Sequence, residues 1–362
     1  MLEHLANLYR SELAIRQNAV TDFVENQNFF PTIYFKDQER RRKQAFFLES
    51  NFKATVVVTS AGNFENVSPE LNQENFKKIT EQQFLDLTAN ESQARKILEG
   101  SLVILTNNNV AKITPGTMAE RIGLLPNTLF VIHDFDNHHW HEHSMQCALL
   151  ADVYVPAHLT DYSILSRINP TLVAPIPSGS TQWTKDFLRR YFAEAFGNKR
   201  YPSPLGMHYH YPKFRYRNSV LSTLSSKIAS VGWVSKDFHL KSAHERWREW
   251  ISYPLHWVVP VFNDLPLRFF DSLISGGMPL VPTSLKPYLS ILKIPNEFYL
   301  CYSPSDLINP EKFLDYALTV FNDLGFQSRR IRHEYAMDKF HVDATISRLV
   351  SCAKKEYSEQ KP

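Results

Sequence analysis

Residues 133–143, HDFDNHHWHEH, set two aspartates among five histidines directly after the apolar run 128–132. At the carboxyl end of a strand such groups can take the proton of an attacking hydroxyl and hold a leaving group. His133, Asp134 and Asp136 are the base candidates, and His138 and His139 are candidate contacts to an acceptor or a phosphate. Strand alternation continued through Phe135 sends Asp134 and Asp136 to one face, which makes Asp134 the expected base and Asp136 the expected helix cap. A metal site is the alternative: His139 and His143 share an i,i+4 face, with Asp134 or Asp136 to complete it. The HEXXH order and a cysteine pair are both missing, and a polar turn with solvated histidines accounts for the same residues.

A second constellation lies in residues 265–282, LPLRFFDSLISGGMPLVP. Arg268 and Asp271 fall three apart on an apolar helix, Gly276 and Gly277 stop it, and residues 278–281 read as a buried strand. Such a carboxylate can accept both hydroxyls of a ribose while the arginine faces phosphates. Residues 206–218 interleave Lys213, Arg215 and Arg217 with Tyr209, Tyr211 and Tyr216, a mixture that suits a nucleotide diphosphate or a solvated basic helix start. In residues 175–183, Ser178, Gly179 and Ser180 offer either backbone N–H groups to a ligand or an ordinary turn.

Positioning these groups requires strands, and short apolar or β-branched runs supply them. They fall at residues 54–63, 102–106, 129–132, 153–156 and 172–176, then at 228–234, 257–261, 278–281 and 298–302, separated by helical or loop segments. The pattern predicts an α/β chain of two Rossmann-like, doubly wound domains facing a cleft. The expected divisions are a helical segment at 1–50, a first domain at 51–200, a second at 201–335 and a closing helix and tail at 336–362. Residues 201–206 are the expected linker, and the charged run 36–44 reads as a solvated helix face.

The 362 residues suit two domains, and 43% hydrophobic, 13% aromatic and 21% charged residues are those of a globular protein. A net charge of +3 gives no nucleic-acid signal and a slight lean toward anionic ligands. Three widely spaced cysteines imply a reducing compartment, and no apolar run approaches the ~18 residues of a membrane span. The expectation is a cytoplasmic protein, at most peripheral at a membrane.

The order Arg268, Asp271, Gly276, Gly277 and then a Pro-containing strand resembles the donor-site element of GT-B-type glycosyltransferases, closest to the bacterial spore-maturation and surface-polysaccharide kind. The resemblance covers residues 202–350 and, more loosely, the first half. It implies transfer from a nucleotide-sugar donor to a glycan or glycolipid acceptor, with no cofactor and no divalent metal. By position, Gly232, Trp233 and Ser235 would border the donor base, Arg215 and Arg217 would join Arg268 at the diphosphate, and Asp271, Gly276 and Gly277 would complete the donor contacts. The chain departs from the pattern at Asn263, where many retaining members carry a glutamate, and in having only Gly62 for the Gly-rich opening loop. A nucleotide-sugar epimerase of the same architecture and a non-catalytic nucleotide-sugar-binding protein are the competing expectations.

Overall fold

The apolar runs of the first half fold as strands buried on both faces, as a parallel sheet demands. The structure is a computed structural model, and it describes residues 2–25, 29–68, 75–197, 200–234, 241–262 and 264–357. Helices α1 (Leu2–Glu25) and α2 (Phe29–Glu49) come first. The first sheet and its helices follow as β1 (Thr55–Thr59), β2 (Phe76–Thr80), α3 (Glu81–Thr88), α4 (Glu91–Leu98), β3 (Leu102–Thr106) and α5 (Asn107–Val110). They continue as α6 (Pro115–Gly123), β4 (Leu129–Asp134), α7 (His141–Leu150), β5 (Val153–Pro156) and α8 (Tyr162–Leu165).

The second series runs α9 (Lys185–Arg190), α10 (Phe192–Gly197), β6 (Pro204–His208), α11 (Arg215–Ser225), β7 (Val231–Trp233), α12 (Ala243–Ile251) and β8 (Leu255–Trp257). It closes with α13 (Leu267–Ile274), β9 (Met278–Pro282), α14 (Lys286–Ile291), β10 (Leu300–Tyr302), α15 (Pro310–Lys339) and α16 (Val342–Tyr357). Thr80, Asn90, Thr106, Thr114, Thr184 and Ser242 each cap the helix that follows by accepting a first-turn N–H.

Both sheets are wholly parallel, with orders β2-β1-β3-β4-β5 and β10-β9-β8-β6-β7. Counted within its own series, each order reads 2-1-3-4-5. Their switch points therefore lie between β1 and β3 and between β6 and β8, where doubly wound sheets place ligands at the carboxyl ends. The chain forms two compact units, Val20–Thr181 with Val342–Pro362 and Met1–Ala19 with Gln182–His341.

In the first unit, alternate strand residues split between two cores. Val57, Ile104 and Val131 pack with Phe47 of α2 and with Ile346 and Leu349 of α16, while Val56, Val103 and Phe130 pack with Phe84, Leu98 and Met145. The closing helix α16 thus belongs to the first sheet. Residues 185–197, read as the end of the first domain, instead place Leu188 and Ala195 in the core of the second unit beside Trp247 and Phe270.

The charged run is not simply solvated. Lys43 is buried, and its Nζ donates to both oxygens of buried Asp152 at 2.8 and 2.7 Å, while Asp37, Arg40 and Arg41 remain at the surface. Residues 201–206 are no linker: they lead into β6, a central strand whose Gly206 is required because a Cβ there would lie 2.6 Å from Val231 Cγ2. Residues 172–176 run beside β5 without completing a strand: Val173 and Ile176 donate to the Tyr154 and Pro156 carbonyls at 3.2 and 3.0 Å, but Pro175 has no N–H to give.

The Gly-Gly pair closes α13 at the amino end of β9, the edge of the sheet opposite to its ligand edge. Gly276 adopts φ 68°, and a Cβ on Gly277 would collide with the ring of His256. Arg332, fully buried, donates to the carbonyls of both glycines. Gly277→Ala is expected to cost about 1–3 kcal/mol of stability through overpacking on His256. Denaturant midpoints of the two proteins measure it; an unchanged midpoint would show that this contact yields freely.

Candidate functional site

At the carboxyl edge of the first sheet, β4 ends in His133 and Asp134, and the turn to α7 carries Asp136, Asn137, His138 and His139. His133 is fully buried, stacked on Phe64 with ring centroids 5.9 Å apart and edge-on to Phe135 at 4.6 Å. Its Nε2 lies 2.7 Å from the Ile176 carbonyl. Burial pulls its pKa from 6.5 down to about 3, so the ring is neutral, with the proton on Nε2. His133 is a core residue and has no access to a substrate.

Asp134, the expected base, is also fully buried. One oxygen accepts the Asp136 N–H at 2.9 Å and the other the Tyr154 hydroxyl at 2.7 Å. Burial raises its pKa, with the nearby Ser144 hydroxyl and the Tyr154 hydrogen bond opposing. The face argument fails because a strand covered on both sides has no cleft-facing side, so alternation separates two cores rather than core from solvent.

Asp136 is the accessible carboxylate, with its side chain 26% exposed. Asn107 Nδ2 donates to one of its oxygens at 2.8 Å, and the other lies 4.0 Å from His139 Nδ1. His139 Nδ1 and His138 Nε2 are 2.9 Å apart. Donor atoms of Asp136, His138 and His139 all fall within 4.8 Å of one another. His143 is not part of this group, since its Nε2 pairs with the Asn107 carbonyl at 2.8 Å.

Asn107 organises the edge. Its Oδ1 accepts the Phe135 N–H at 3.1 Å, so one side chain joins the carboxyl ends of β3 and β4. Three consecutive asparagines after the strand LVILT were the available signal for it. Ser178 and Ser180 are buried, and Ser180 gives its carbonyl to the first N–H of α16, so this loop is structural.

In the second unit, polar groups converge on the switch point between β6 and β8. Arg217 of α11 is buried and bridges the two strand-end loops, donating to Val259 O at 3.2 Å and Tyr209 O at 2.6 Å. Arg268, in the first turn of α13, donates to Met207 O and lies over the Trp250 ring at 5.1 Å. Its Nη1 is buried without a hydrogen-bond partner among the described residues. Burial lowers the Arg268 pKa to about 10, with Asp271 opposing, so the guanidinium is charged at neutral pH. His208, at the end of β6, is driven well below 6.5 by burial and then by Arg268 and Arg217.

Asp271 faces inward, 2% exposed, and its Oδ2 accepts Gln182 Nε2 at 2.5 Å. It does not present a carboxylate to solvent: the second turn of α13 carries it below the edge. Trp233 ends β7 at the same edge, edge-on to His210 at 4.9 Å. Gly232 lies within the strand, paired with Met207. Arg215 opens α11 and is exposed; Ser235 and Asn263 lie outside the described residues.

Beside the switch point is an apolar cavity of about 280 Å³ lined by Tyr216, Val259, Phe262 and Tyr302 and closed by Leu5 and Tyr9 of α1. The Glu12 carboxylate of α1 accepts the Tyr216 N–H at 3.0 Å, in the first turn of α11. Composition and strand pattern gave no hint that α1 would reach this edge.

No family model and no curated protein matches the chain.

His133 makes the fold acid-sensitive. Its folded pKa of about 3 lies below the 6.5 of an exposed histidine, so between these values the unfolded chain binds the extra proton and stability falls as pH drops. His133→Gln, which keeps a donor for Ile176, is expected to flatten the stability profile from pH 6 to 4 by up to about 1.4 kcal/mol per pH unit. Urea titrations across that range measure the slope; identical slopes would mean that the ring is protonated in the fold.

Proposed function

We propose that this chain is a GT-B-type glycosyltransferase, moving a sugar from a nucleotide-sugar donor to a glycan or glycoconjugate acceptor, in the manner of bacterial surface-polysaccharide enzymes. One observation carries the reading: at the switch point of the second sheet, two buried guanidiniums converge and Arg268 Nη1 has no partner among the described residues. Buried donors left open at that place suit the oxygens of a diphosphate. The matching 2-1-3-4-5 sheets and the return of α16 to the first-sheet unit are in keeping with the two-domain plan that the resemblance implies.

In this reading Arg268 and Arg217 hold the leaving diphosphate, and Trp233 borders the base. Asp271, turned inward onto Gln182, offsets the Arg268 charge instead of meeting the ribose. Asp136 replaces Asp134 as the base that receives the acceptor proton, and His138 and His139 orient the acceptor. No step calls for a divalent ion or another cofactor.

Arg268→Gln is expected to weaken nucleoside diphosphate binding roughly 10- to 100-fold, the loss of one or two charge-assisted hydrogen bonds. Calorimetric titration with a panel of nucleoside diphosphates and nucleotide sugars reads this directly. Equal affinity of the variant and the parent for every ligand that binds would remove the diphosphate from this place.

Asp136→Asn is expected to cut turnover about 10²–10⁴-fold with donor affinity nearly unchanged, as for loss of a general base. Turnover of the parent should survive excess chelator. Loss of activity on chelation, restored by a divalent ion, would instead assign Asp136, His138 and His139 to a metal.

A further inference from the structure

Three arginines gather at the amino edge of the second sheet, opposite to the switch point. Arg200 precedes β6, while Arg329 and Arg332 lie on the last turns of α15. Their Cζ atoms lie 5.8, 5.7 and 5.5 Å from the centroid of one ring, that of Phe321. Arg200 and Arg329 line a cavity of about 570 Å³ together with Tyr201, Asn322, Phe196 and Phe321. Arg332 stands behind it, fully buried.

The three guanidiniums differ in what they already do. Arg332 holds the carbonyls of Gly276 and Gly277, and Arg200 donates to the carbonyls of Tyr253, Ala195 and Ser275. These bonds satisfy donors without cancelling charge. No ion pair joins any of the three to a carboxylate among the described residues. Arg200 Nε and Arg329 Nε are buried with no hydrogen-bond partner there. Buried polar groups left in this state are rare, and an ion that completes them is a standard resolution.

We infer that this cavity is a binding site for a phosphate-bearing ligand, separate from the carboxyl-edge site, with Arg329 and Arg200 as its contacts. Converging planar donors suit a phosphoryl group, and Arg332 adds charge from behind. The aromatic wall of Tyr201, Phe196 and Phe321 accommodates an organic part attached to the phosphate. Burial first, and then the charges of Arg329 and Arg332, lower the Arg200 pKa to about 9, so the cluster stays cationic and self-repelling at neutral pH. An anion relieves that repulsion. Gly325, with φ 67° and ψ −168°, breaks α15 at the cavity wall between Phe321 and Arg329, so one ligand would touch both halves of the helix.

The test is binding, not turnover. The full chain is titrated with inorganic phosphate, glucose 1-phosphate and glucose at constant ionic strength, by calorimetry and thermal shift, beside Arg329→Gln. That variant removes no side-chain hydrogen bond among the described residues and lessens the repulsion, so it should fold. Phosphate and glucose 1-phosphate should bind and raise the melting temperature, glucose should not, and Arg329→Gln should weaken binding roughly 10-fold or more. A second arm floats the protein with phosphatidylglycerol vesicles: retention that Arg329→Gln abolishes assigns the phosphate to a lipid headgroup, and binding of the soluble esters alone assigns it to a small molecule. Phosphate acting no better than chloride in the parent, or equally well on Arg329→Gln, overturns the site.

Discussion

Burial of both faces of each parallel sheet is the constraint on which the rest depends. Hydrophobic residues such as Val57, Ile104, Leu280 and Val281 fill every layer beside the strands. A polar group within a strand must then be held neutral and bonded, or moved to an edge. His133 meets the first condition through the Ile176 carbonyl, and His256 through Ser272 and the Trp250 carbonyl. Asp134 is the costly case, a strand-end carboxylate that stays only because Tyr154 and the Asp136 N–H bond it. Chemistry that needs solvent is thereby confined to the loops beyond the strand ends.

At those ends, arginine does work that helix and sheet leave unfinished. Strand-end loops and helix carboxyl termini leave carbonyls without ladder partners, and a guanidinium offers several donors in one plane. Arg217 joins the loops after β6 and β8, and Arg332 closes α13 through the two glycines. Lys43 plays a related part in the first unit, with the difference that its partner Asp152 is an acid and the pair is neutral.

What the sequence made legible follows from the same constraint. Runs such as LVILT and LFVI could be read as strands because burial on both faces leaves them almost wholly apolar. Strand β2, FKKIT, escaped notice: it is an edge strand whose lysines are exposed, so it lacks that signature. Strand β6 escaped because Pro204 and Gly206 look like a linker, although proline is tolerated at a first strand position and the glycine admits Val231. For the site, the aspartate and histidine types were readable and their depth was not. Asp134 and Asp136 differ by two positions in sequence and by the whole distance from core to edge, which no periodicity encodes. The glycines were read as ligand contacts through their neighbours Arg268 and Asp271, yet an eight-residue helix separates its two ends by about 12 Å, enough to place them at opposite edges of the sheet.

Hydrogen-bond satisfaction and charge balance are separate accounts, and the two edges of the second sheet show it. A carbonyl carries only a partial charge, so an arginine spent on carbonyls keeps most of its field. At the carboxyl edge that field is offset in part: burial lowers the pKa of both arginines, and Asp264 opposes this at Arg217 and Asp271 at Arg268. At the amino edge the charges acting on Arg200 are those of Arg329 and Arg332, and no carboxylate among the described residues pairs with any of the three. Three like charges around one phenylalanine ring are therefore stabilised by cation–π contact and by carbonyl dipoles, neither of which removes the net charge. Packing alone would be served better by apolar side chains of the same volume, since buried ionic groups seldom improve stability over such replacements. The positive charge retained at this edge thus has its physical justification in an anion that the fold itself does not supply.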